Sequence, residues 1–200
     1  MHIPDTTEKR FEDDITAFLL SPAGGYTRNE DVYDARLGLF PDTLIRFIRR
    51  TQPREWARFE TANPVNPEVK FCRALNDACD ADGLVAVLRH GFKHRGITFR
   101  VCYFKPESGL NQTAAAQYAA NEICCNRQWF YSADTNKSVD VMLSVNGIPV
   151  FAFELKTRTP GRRRRTPGGS GWPTGTPGRF ASSSTGAYWA SSPWTTPRSG

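Results

Sequence analysis

Two carboxylates and an amine interrupt an otherwise apolar stretch, "KSVDVMLSVNGIPVFAFELK", residues 137–156. They are Asp140 in its first half, and Glu154 and Lys156 in its second. Glu154 and Lys156 are two residues apart, so on a β-strand they project from the same face of the sheet. Asn146-Gly147 between the halves is the strongest short signal for a β-hairpin. Whether Asp140 meets Glu154 then depends on the loop. A strict two-residue turn at 146–147 pairs Asp140 with Phe153 and sends Glu154 to the opposite face. One extra residue, in the loop or as a bulge, pairs Asp140 with Glu154, with Cβ atoms roughly 5 Å apart. The chemistry therefore requires a bulged or three-residue turn.

Two neighbouring carboxylates repel and raise one pKa unless a cation lies between them. Mg²⁺ suits two such oxygens together with waters and a phosphate. A lysine beside the ion orients the attacking water and stabilises charge on the phosphate. Together these groups are equipment for metal-assisted hydrolysis of a phosphodiester. Glu-x-Lys alone is more simply a solvated face; the pairing with Asp140 is what gives it weight.

The elements that must hold these residues follow from periodicity. Asp5 with Glu8 resembles a capping box, and Phe11, Ile15, Phe18 and Leu19 then share one helical face. A second helix opens at Asp42 with Leu44, Ile45 and Ile48 inward, and stops before Pro53 because the residue preceding proline avoids the α region. "PREWARFET" and residues 66–92 read as further helices, broken near Asp80 to Gly83. From Ile97 to Tyr103 the period becomes two, which marks a strand. Asn111 caps a helix over 112–123, and Arg127 to Ser132 is a short strand. The expected sheet is mixed, built from residues near 97–104, 127–132, 139–145 and 149–156, and packed by the N-terminal helices.

Charge and cysteine content narrow the function classes. The chain of 200 residues has a net charge of +6, but Thr157 to Gly200 holds seven arginines, no lysine and no acid. The preceding residues keep 19 basic and 20 acidic side chains, a net of −1, so bulk charge argues for no partner there. No stretch approaches a membrane span or a signal peptide. Five cysteines in no zinc-like spacing read as reduced and structural, and the expected location is the cytoplasm. His90 and His94 are four apart, but Gly91 spoils a helix between them. Lys93 and Arg95 in "GFKHRG" are candidates for phosphate contact, with an exposed turn as the plainer reading.

Asp-x13-Glu-x-Lys across a hairpin resembles the motif of the PD-(D/E)xK nucleases. "FEDDI", "TQPREW", "GFKHRGITFRVCYFKPESGLN" and "YAANEICCNRQWFYS" extend that likeness. Together they resemble the N-terminal nuclease domain of the R (restriction) subunit of type I restriction-modification enzymes. The resemblance covers residues 5–157 and implies a restriction-endonuclease-like α/β fold over residues 1–157. It implies Asp140 and Glu154 as metal ligands, Lys156 as the catalytic lysine and Mg²⁺ as the cofactor. Glu12, in "FEDDI", falls where related nucleases place an auxiliary acid; a surface role is the alternative. The implied partners are double-stranded DNA and the methyltransferase (M) and specificity (S) subunits, with ATP driving translocation in full-length members. No Gly-x4-Gly-Lys-(Ser/Thr) loop occurs in this chain, so no ATP site is expected in it.

Residues 158–200 depart from that family. They contain no Ile, Leu, Val or Met, and such a composition cannot offset its ordering entropy by burial. Read one base earlier, the codons of Tyr188-Trp189-Ala190 give Leu-Gly, and those of Trp194-Thr195 give Asp. The serines between become apolar if they use TCN codons, so a strand-like text is hidden there. An out-of-frame tail is the preferred reading, and a disordered basic arm the alternative. The expectation is a nuclease domain incomplete on its C-terminal side, with weak or no activity. A stand-alone nuclease and a non-catalytic nucleic-acid-binding module using the arginine run remain as rivals.

Overall fold

The computed structural model describes residues 8–107, 110–131 and 138–155. Six helices and two small antiparallel sheets make up the described chain, a mixed α/β architecture. In order these are α1 (Glu8–Leu19), α2 (Pro41–Thr51), α3 (Pro53–Ala62), α4 (Pro67–Asp82), α5 (Leu84–His90), β1 (Phe92–His94), β2 (Ile97–Phe99), α6 (Gln112–Ala119), β3 (Ile123–Phe130), β4 (Ser138–Val145) and β5 (Ile148–Phe153). Prolines at the first turns of α2, α3 and α4 pre-set φ where no amide partner is lost. Gly83 (φ 85°) breaks the long helical stretch into α4 and α5, where the sequence places the break. Asn111 caps α6 by accepting a hydrogen bond from Ala114 N at 3.0 Å.

The larger core belongs to the helices and the β1–β2 pair. Leu44, Phe47 and Ile48 of α2, Phe59 of α3, and Phe71 and Leu75 of α4 are buried with Phe92 and Phe99. The rings interlock edge to face: Phe71 lies 4.9 Å from Phe99 and 5.5 Å from Phe59. Truncating Phe71 to alanine is therefore worth about 3–5 kcal/mol. A smaller cluster of Phe40, Trp129, Val139 and Met142 supports the second sheet, with Tyr33 edge-on to Trp129 at 4.8 Å. Trp129 is thus a core residue. All five cysteines are free; burial holds the thiols of Cys72 and Cys79 up at about 12 and about 11.

Three expectations need correction. Residues 97–104 do not join the main sheet: only Ile97–Phe99 is a strand, and its partner is β1. The main sheet is antiparallel, in the order β3-β4-β5, and the parallel element is a single bridge from Thr27 to Cys124 on the outer edge of β3. α1 does not bury its apolar face. Phe11 and Phe18 are 41% and 62% exposed, and Glu12 and Thr16 are the buried positions, because α1 turns toward an arginine of β3.

Candidate functional site

Asn146 and Gly147 adopt φ of 51° and 81°, the two left-handed positions of a type I′ turn. The turn has two residues, with Val145 opposite Ile148 and Ser144 opposite Pro149. The register then shifts between Leu143 and Ser144, so that Leu143 faces Phe151, Met142 faces Ala152 and Val141 faces Phe153. Val150 is the inserted residue. A bulge of this kind opposes two residues to one and moves everything beyond it by one position. Continued by one step, the shifted register sets Glu154 across from Asp140.

Asp140 is half-buried and Glu154 is exposed, just past the end of β5. The Asp140 carboxylate accepts a hydrogen bond from the backbone N–H of Leu155 through Oδ2. That contact ties the Glu154–Leu155 peptide to Asp140 even though the regular ladder has stopped. Lys156 lies outside the described residues. On the other side of Asp140, β3 is also irregular. Gln128 sits between the pairs Arg127–Val141 and Trp129–Val139 with φ 44°, a conformation costly for a side chain with a Cβ. Asp140 is therefore faced by a left-handed residue on β3, while the β5 bulge lies three positions along β4, at Leu143. No sequence pattern marks Gln128, since glutamine is not a turn residue.

Glu12 is 6% exposed, which removes the surface alternative. Its Oε1 pairs with Arg127 Nε at 2.8 Å, and Arg127 Nη1 reaches Asp13 Oδ1 at 2.6 Å. Arg127 faces Val141, the neighbour of Asp140, so the ion pair fastens α1 to the sheet beside the candidate site. His90 ends α5 and is exposed, whereas His94 on β1 packs its ring 5.7 Å from that of Phe59. Among the described residues no cluster of three or more His, Cys, Asp or Glu side chains could hold a metal. Asp140 and Glu154 would offer two carboxylates, and Mg²⁺ commonly takes one or two and completes its shell with water and phosphate.

The turn itself is anchored deeply. Asn146 is fully buried; its side chain accepts from Glu122 N at 2.7 Å and donates to Val101 O at 2.8 Å and Asn121 Oδ1 at 3.0 Å. Gly147 lies against the start of α2, where its carbonyl accepts from Phe40 N at 2.8 Å. A Cβ on Gly147 would stand 2.6 Å from Phe40 O. A groove of about 730 Å³ runs along α2, lined by Asp34, Arg46, Arg49, Glu68 and Cys72 among others. Its arginines meet acids, Arg46 with Asp31 and Glu122 and Arg49 with Glu68, and neither Asp140 nor Glu154 lines it.

No family model matches the chain, and neither the curated proteins nor the solved structures contain a significant match.

Proposed function

We propose that the chain carries the nuclease site of a type I restriction R subunit, hydrolysing phosphodiesters of double-stranded DNA with Mg²⁺. The observation that carries this reading is the Val150 bulge, which shifts the β4–β5 register so that its continuation one step past Val141–Phe153 would set Asp140 opposite Glu154. Asp140 and Glu154 would hold the ion, and Lys156 would steady the phosphate and orient the water. When bound, Mg²⁺ supplies charge neutralisation at the phosphate and a more acidic water. In such an enzyme the M and S subunits and ATP-driven translocation bring the DNA, and the recognised sequence is set outside this chain. A second role for Glu12, beyond pairing Arg127, is to keep α1 and β3 fixed next to Asp140.

β5 is the outer strand of the sheet among the described residues, and the segment after Lys156 lacks the apolar residues to extend it. Weak cleavage is accordingly expected of this chain. The test is Mn²⁺ affinity by calorimetry, together with nicking of supercoiled plasmid in Mg²⁺. Asp140→Asn and Glu154→Gln should each lower metal affinity by about tenfold, or about 1.4 kcal/mol. Lys156→Ala should abolish nicking and leave metal binding intact. Deleting Val150 should cost metal affinity as much as either acid, because it turns Glu154 to the other face. Equal metal affinity in all of these proteins refutes the reading.

A further inference from the structure

The β1–β2 hairpin turns on Arg95-Gly96, with Phe92 opposite Phe99 and His94 opposite Ile97. Its φ angles, 48° and 82°, are those of a type I′ turn. Asn, Asp and Gly are the residues that occupy the first position of such a turn at little cost, and arginine is not among them. Nothing in the fold uses the Arg95 side chain to offset that cost: it is exposed and forms no ion pair among the described residues.

Its neighbours have the same character. Between Asp82 and Glu107 the chain has no acidic residue, while Arg89, Lys93, Arg95 and Arg100 lie in or beside the hairpin, all exposed. Elsewhere Arg46, Arg49, Arg50 and Arg127 each meet a carboxylate, whereas Arg36 and Arg58 meet none among the described residues. The hairpin arginines and Lys93 meet none among the described residues. Alternation sends Phe92, Ile97 and Phe99 into the core and leaves Lys93, Thr98 and Arg100 on the solvent face. Lys93 and Arg100 are diagonal neighbours across the two strands, roughly 7–8 Å apart at Cβ.

This face is also rigid. Gln52, buried at the α2–α3 junction, accepts from Arg100 N at 2.8 Å and donates to Arg100 O at 2.7 Å. Arg100 Nη1 donates to the carbonyl of Arg89 at 2.9 Å, which ties the guanidinium to the end of α5. Behind the strands Phe99 packs on Phe59 and Phe71. A cluster of exposed cations on a backbone pinned by Gln52, with no apolar side chain among Lys93, Thr98 and Arg100, suits a polyanion backbone. An anionic lipid surface attracts the same cations, but without an apolar face to insert it holds them only weakly.

The geometry points to a docking surface for the sugar–phosphate backbone of double-stranded DNA, formed by Lys93, Arg95 and Arg100 on the solvent face of β1–β2. It is separate from the acid pair: Val101, just past β2, meets the Asn146 turn, six positions along β4 from Asp140. The surface positions a duplex and performs no chemistry. The choice of duplex DNA among polyanions rests on the nuclease reading, while the cation cluster itself is tested apart from the acid pair.

The test is fluorescence anisotropy of the full chain with a labelled random-sequence duplex, in EDTA so that no cleavage occurs, across a salt series. The triple variant Lys93→Ser, Arg95→Asn, Arg100→Ser should bind on the order of tenfold or more weakly. Its log affinity against log salt should flatten by about 0.9 for each cation removed. Arginines in residues 157–200 contribute alike to parent and variant, so the difference reports on the hairpin. Arg95→Asn alone should weaken binding while its melting temperature is unchanged or raised, a combination that a purely structural role for Arg95 does not produce. Mn²⁺ affinity of the triple variant, measured separately, should equal that of the parent, which keeps failure of this surface distinct from failure of the nuclease site. Unchanged affinity and slope in the triple variant overturn the proposal. So does a loss seen only with phosphatidylserine vesicles or only with RNA.

Discussion

Arg95-Gly96 and Asn146-Gly147 turn the chain through nearly the same backbone angles, yet they sit in opposite surroundings. The first pair is exposed, and a Cβ on Gly96 would touch nothing within 4 Å. The second is enclosed: Asn146 is fully buried, and Gly147 abuts the first residues of α2. Asparagine repays its buried place because one short amide makes three hydrogen bonds to two separate segments, at Val101 and at Asn121-Glu122. Arginine in the equivalent place gives the fold nothing comparable. The difference teaches that a turn's angles constrain its backbone, while its side chain reveals whether the turn serves the fold or something outside it.

The comparison breaks most sharply at Asn146. Asn146→Ala leaves the amide of Glu122 and the carbonyl of Val101 without partners in the interior, and should cost about 3–4 kcal/mol in chemical denaturation. The equivalent change at Arg95 should cost under about 1 kcal/mol. The glycines offer a second contrast. Gly147→Ala combines a positive φ with a clash against Phe40 and Leu44 backbone atoms, and should cost about 2–4 kcal/mol. Gly96→Ala meets open space and should cost only the left-handed penalty, about 1 kcal/mol. A ratio near one between these two would mean that the turn at 146–147 is not packed against α2. The smallest effect sharpens the contrast: Arg95→Asn should raise stability by about 0.5 kcal/mol or less, since asparagine tolerates the left-handed region.

Much of this was legible in residue patterns, and the rest was hidden for identifiable reasons. Asn146-Gly147 announces its hairpin, and the position of Asp140 relative to Glu154 demands one extra residue. The structure supplies that residue as a bulge at Val150 rather than as a longer turn, because Gly147 must stay tight against α2. The helical core followed from 3.6-residue spacing in α2 through α5. The spacing misled in α1, where Phe11 and Phe18 are exposed and a buried ion pair between Glu12 and Arg127 decides the orientation. Periodicity cannot see a partner 115 residues away. Alternation from Ile97 to Tyr103 overstated a strand that ends at Phe99, since beyond it Gln52 and Asn121 side chains replace a neighbouring strand by bonding Arg100 and Tyr103. The exposed turn read at "GFKHRG" is present at Arg95-Gly96, but no pattern marked arginine for its left-handed first position, which arginine rarely occupies.

The account rests on a divalent ion held between Asp140 and Glu154. Titrating Mn²⁺ into isotope-labelled protein and following line broadening by NMR tests this directly, because the paramagnetic ion erases signals nearest to it. The amides of Asp140, Glu154 and Leu155 should broaden first, and Asp140→Asn should move the effect to about tenfold higher Mn²⁺. Broadening that begins elsewhere, or that survives the substitution unchanged, would contradict it.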